Sequence, residues 1–210
     1  MRKTTAFVAA LIVLFQTATA VSGPSSIPEE AAGSFEDGVY MNPYLGFGFH
    51  CDGWVFLSDE DLLDRGGTNA RILGPDYLTS ADELLEETVM AATLPDYGDT
   101  VIVAVRYLGS SAAYYEALGE EFLMENLADS YKSSFTDPFT LDSFEITELS
   151  INGYELPCYR IEYSFSTLWY GGSIHAVYTM FISEDYLVTV TASAGTMDSV
   201  YEALRHLFWM

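Results

Sequence analysis

The chain has 210 residues, 8 Lys and Arg against 31 Asp and Glu, a formal net charge of −23, and an apolar half. So negative a surface repels phosphate backbones and anionic headgroups, which argues against nucleic acid and membrane partners and leaves cationic partners, calcium or plain solubility. The length suits a single domain, and the apolar content allows a sizeable core.

Residues 1–20 open on Met1-Arg2-Lys3, run apolar from Ala6 to Phe15 and close on Ala18-Thr19-Ala20. That is the layout of an export signal cleaved after Ala20. Ten apolar residues rise only about 15 Å as a helix, roughly half of a bilayer core, so an anchor is disfavoured. No cysteine follows the small-residue site to accept a lipid. The expectation is a secreted or extracytoplasmic protein with no membrane insertion after cleavage. Losing Arg2 and Lys3 takes the net charge from −23 to −25. Residues 21–38, VSGPSSIPEEAAGSFEDG, have the composition of a flexible acidic linker. Residues 39–210 are then expected to form a single α+β domain.

In chain order, Leu45, Phe47, Phe49 and Cys51 alternate as one face of a strand, and Trp54-Val55-Phe56 follows an Asp52-Gly53 turn, which predicts a first hairpin. Ser58 or Asp59 can cap a short acidic helix through Leu63, and Ser80-x-x-Glu83 opens a second helix through ADELLEETVMAA. Thr100 to Leu108 is apolar on both faces, the pattern of a covered central strand. The longest helical pattern spans Ser111 to Phe135, with Leu123, Leu127, Tyr131 and Phe135 in step, Phe122 and Met124 widening the stripe and Gly119 weakening it. Phe144–Ile151 and Tyr154–Phe165 read as strands joined by an Asn152-Gly153 hairpin turn. Ser173–Ile182 and Tyr186–Ala194 form another antiparallel pair across Ser183-Glu184-Asp185, and a closing helix is predicted from Met197 to Trp209.

Hairpins with helices before and after them predict an α+β layered sandwich: an antiparallel sheet of about five to seven strands with helices on its faces. In MNPYLGFGFHCDGWVF, the long middle helix, and SFEITELSINGYELPCYRIEYSF with its two following strands and terminal helix, the chain resembles the PsbP-like superfamily. The resemblance covers nearly the whole mature domain and concerns layout, not a catalytic motif. It implies that fold and, mostly, binding or assembly roles rather than catalysis, in a superfamily that also includes many small exported bacterial proteins of unknown role.

Cys51 and Cys158 are the two cysteines, and a bridge between them would close a loop of about 107 residues and contribute about 4–5 kcal/mol. Strand phase sets Cys51 with Phe47 and Phe49 but Cys158 with Arg160, Glu162 and Ser164, opposite Tyr159, Ile161, Tyr163 and Phe165. A bulge at Pro157 would reset that phase, so the disulfide and two separate thiols both stand. A nucleophilic cysteine would need His50 beside Cys51, or His175 near Cys158, and adjacent strand residues point to opposite faces. His50, His175 and His206 lie singly, in no metal-ligand spacing, so no metal site is assigned. Calcium is the one cofactor left open, through Asp59-Glu60-Asp61 with Asp64 or Asp96 with Asp99, although neither matches a known loop pattern. Tyr154, Tyr159, Tyr163, Trp169, Tyr170 and Tyr178 crowd the hairpin region, and Trp169-Tyr170-Gly171-Gly172 places two aromatics at a turn. Trp169 and Tyr170 are the candidate ligand-binding residues. The expected role is a soluble, non-enzymatic binding or interaction domain for a protein or peptide. The alternative is an extracytoplasmic enzyme or maturation factor with a Cys158, His175 and carboxylate pocket.

Overall fold

The computed structural model describes residues 31, 33–58, 88–96, 98–134, 139–149, 158–167 and 170–210. The predicted signal peptide, residues 21–30, the helix through Leu63, the start of the helix at Ser80, the Asn152-Gly153 turn and Trp169 lie outside them.

Among the described residues, eleven strands form two antiparallel sheets. The smaller joins β1 (Ser34–Glu36), β2 (Val39–Asn42), β3 (Phe47–His50) and β11 (Leu207–Trp209) in that order. The larger has the order β4-β5-β6-β10-β9-β8-β7: β4 (Val55–Phe56), β5 (Thr88–Thr93), β6 (Thr100–Tyr107), β10 (Tyr186–Ala194), β9 (Tyr170–Ser183), β8 (Cys158–Thr167) and β7 (Phe139–Leu149). The helices are α1 (Ala112–Leu118), α2 (Glu120–Ser134) and α3 (Met197–Leu204). This is the expected α+β class, with two sheets where one was expected and strands outweighing helices.

Several elements follow the sequence closely. β6, apolar on both faces, sits inside the large sheet between β5 and β10. β9 and β10 pair across a two-residue turn, with Glu184 in the left-handed region at φ 52°. β7 pairs with β8, but Leu149 stands opposite Cys158, whereas a two-residue turn on Asn152-Gly153 would set it opposite Leu156. Gly119, at φ 81°, ends α1 and splits the long helical stretch in two. Within it Met124 is buried as expected, while Phe122 is exposed and does not widen the apolar stripe.

Three expectations are corrected. β3 and β4 do not form a hairpin: Asp52-Gly53 does turn, with Trp54 N–H donating to Cys51 O at 2.9 Å, but the turn carries the chain from one sheet to the other. Thr88 to Ala92 belong to strand β5, not a helix, because Met90, Ala91, Ala92 and Thr93 are all buried and a short run covered on both faces has no decisive period. The closing helix stops at Leu204; Leu207–Trp209 instead pairs with β3, where a Cβ on Gly48 would lie 2.2 Å from the Phe208 ring. The described residues of the 21–38 segment also meet the fold. Ala31 is buried and its carbonyl accepts from Asn42 Nδ2 at 2.9 Å, and β1 pairs with β2.

The core lies mainly between the sheets. Met90, Ala92, Val101, Val103, Val188 and Val190 of the large sheet pack with Tyr40, Phe47 and Phe49 of the small one and with Val200, Ala203 and Leu204 of α3. Asn42, fully buried, holds the small sheet's corner: its Oδ1 accepts from Leu45 N–H at 3.0 Å, and Tyr40 Oη donates across to Val89 O at 3.2 Å. On the opposite face of β8 and β9, Ile161, Tyr163, Phe165, Ile174 and Tyr178 pack against Met124 of α2. No described helix is long and apolar enough to cross a membrane.

Candidate functional site

The face of the large sheet that meets the small sheet changes character along its width. From β5 through β10 to Val177 and Phe181 of β9 it is apolar and covered. On β7, β8 and β9 the same face carries three cross-strand rows: Thr147-Arg160-Thr179, Glu145-Glu162-Val177 and Ser143-Ser164-His175. Alternation requires this polarity, because the intervening residues Ile161, Tyr163 and Phe165 go to the other face and are fully buried there.

Arg160 organises the centre. Its Nε donates to Glu162 Oε1 at 2.6 Å, one Nη donates to Tyr201 Oη at 2.7 Å, and the other donates to Glu148 O. Tyr201, from α3, in turn donates its hydroxyl to Glu162 Oε1, and the guanidinium lies 5.2 Å from the Tyr201 ring centre. The Arg160 and Glu162 side chains are only 12% and 19% exposed. Burial, and next the hydrogen bond to Glu162, push the Tyr201 hydroxyl above its usual range. Tyr201 is therefore a neutral donor at ordinary pH, and Glu162 Oε1 accepts from both Arg160 and Tyr201. The set ties β8 to α3.

Around this centre the surface is acidic and rich in hydroxyls. Ser143 Oγ and Ser164 Oγ share a 2.6 Å hydrogen bond. At the bulge between Leu141 and Ser143, Asp142 accepts from Ser173 Oγ at 3.0 Å and Ser166 Oγ at 3.3 Å, spanning three strands. Asp142, Glu145 and Asp198 are exposed.

The residues singled out from the sequence are scattered by the fold. His175 stands opposite Ser164, six residues along β8 from Cys158, which is about 20 Å at the rise of a strand, so Cys158 and His175 do not form a catalytic pair. Cys51 carries a free thiol, its Sγ donating to Phe49 O at 3.4 Å, and burial pushes that thiol up, away from the reactive thiolate. Cys51 follows β3 of the small sheet, while Cys158 opens β8 of the large one. The exposed His50 stacks on Phe208 with ring centres 4.7 Å apart, and His206 Nδ1 lies 2.8 Å from His50 O. Asp96 is exposed and Asp99 is buried, with burial raising its carboxyl above the usual range against a backbone hydrogen bond from Gly195. Asp59, Glu60, Asp61 and Asp64 lie outside the described residues, and those described contain no group of three His, Cys, Asp or Glu able to hold a metal. Tyr170 opens β9 opposite Thr167.

Arg160, Glu162 and Ser164 were visible in the sequence as the polar phase of an otherwise apolar strand. Tyr201 had no such signal, since only the docking of α3 brings it to β8.

No protein-family model matches the chain, and no curated protein matches it. Among solved structures it is similar to the solution structure of cyanobacterial PsbP (CyanoP) from Synechocystis sp. PCC 6803, at 11% identity and a TM-score of 0.48, over 93% of this chain and 99% of that one.

Proposed function

We propose that the chain is an exported, non-enzymatic binding domain that takes a cationic protein or peptide partner on the polar part of its large sheet. The observation that carries this reading is the change of character across one continuous face: covered and apolar through Val177 and Phe181 of β9, polar and mostly covered at Arg160 and Glu162 of β8, and open at Ser143 and Glu145 of β7. The separation of Cys158 from His175 along β8 supports this reading over a pocket built on that pair. The net charge of −23 attracts basic partners at long range and leaves specificity to the hydroxyls and ion pair on the face. Export follows from residues 1–20 and predicts a mature chain starting at Val21.

Octalysine added to the mature chain at low salt is a direct test, read by amide shifts in a heteronuclear NMR spectrum. Shifts centred on Ser143, Glu145, Ser164 and His175 are expected. Shifts spread evenly over the acidic surface, or none at all, would sink the assignment of this face.

A further inference from the structure

A strand at the end of a sheet leaves one row of backbone N–H and C=O groups without a ladder partner, so its length and charge decide what can add to it. The two ends of the large sheet differ sharply. β4 has two residues, and Phe35 of β1 packs on its Phe56 with ring centres 5.2 Å apart. β7 has eleven residues, about 37 Å of strand, and no described strand pairs with its outer side. It is also firmly backed. Ten of its residues are in register with β8, Leu141, Phe144 and Ile146 pack on the core, and Lys132 of α2 holds its ammonium 4.6 Å from the Phe144 ring centre.

The charges along this edge select its occupant. Asp142, Glu145 and Glu148 are exposed. A second copy laid edge to edge would set acid against acid between chains that each carry a net charge of −23, which is the usual way of blocking self-pairing. An extended segment bearing Lys or Arg meets the opposite condition: its main chain completes the ladder and its cations face Glu145 on one side of the sheet and Glu148 on the other. We infer that the outer edge of β7, which no described strand pairs, takes such a cationic, extended segment of a partner protein as an eighth strand of the large sheet. The inference rests on the binding role proposed above and adds the mode of docking.

The test uses the whole mature chain and an eight-residue peptide alternating lysine with valine or threonine, beside a twin of identical charge with alternate amides N-methylated so that it cannot pair as a strand. Hydrogen exchange should slow in β7 with the parent peptide and not with the twin, and Glu145→Lys with Glu148→Lys should weaken parent binding about tenfold or more. Both positions are exposed, so the double variant keeps its fold. Protection on another strand, equal binding of the twin, or indifference to the charge reversal would overturn strand addition while leaving the binding role intact. Failure of both the parent peptide and octalysine to bind would overturn the two together.

Discussion

The two ends of the seven-stranded sheet show how one architecture can be closed in one place and open in another. From β4 to β10 the sheet is buried on the face beneath the small sheet and α3, where Val103, Val188 and Val190 are fully buried or nearly so. From β9 to β7 the other face is packed against α2, and the face toward the small sheet carries Arg160, Glu162 and Ser164. The lesson is that the small sheet and α3 cover only part of the large one, and residue choice follows the cover: Val in the same phase gives way to Ser, Glu and Arg as it ends.

The largest expected effect comes from breaking the closed end. Phe49 is fully buried, 5.5 Å from Trp54 and 6.2 Å from Phe56 between ring centres, so Phe49→Ala should cost about 3–5 kcal/mol, measured by urea unfolding. A loss below about 1 kcal/mol would show that the small sheet is not a structural cover. A smaller effect is expected at the open end. Arg160→Ala strips Glu162 of its ion pair and should cost about 2 kcal/mol, and adding Glu162→Gln should recover part of it. No recovery in the double variant would mean that the Arg160 contact with the Tyr201 ring, rather than the pair, holds β8 to α3.

The smallest effect sharpens the comparison through pH. Asp99 is a buried carboxyl in the closed end, and burial keeps it protonated to higher pH in the folded chain than in the unfolded one. Ionising it therefore opposes folding: the cost is absent below the unfolded carboxylate range, grows as pH rises, and is complete above the raised folded value. Asp99→Asn should raise the melting midpoint at about pH 7 and leave it unchanged at about pH 3. A gain of equal size at both pH values would assign the effect to packing.

Where the sequence carried a long, unambiguous pattern, it determined the element. The doubly apolar run of β6, the β9–β10 hairpin and the β7–β8 pairing are local or nearest-neighbour arrangements, and side-chain alternation set which face of β8 is buried. The polar residues of the candidate site were legible for the same reason, because Arg160 and Glu162 had to lie opposite Ile161 and Tyr163. Tertiary structure alone decided the rest. Thr88 to Ala92 became a strand because β6 needed a neighbour, Leu207–Trp209 became a strand because β3 needed one, and Asp52-Gly53 joined two sheets instead of two strands of one. The physical reason is common to all three. A short apolar segment has no decisive period of its own, and the unpaired backbone groups of an already formed strand supply the stronger demand.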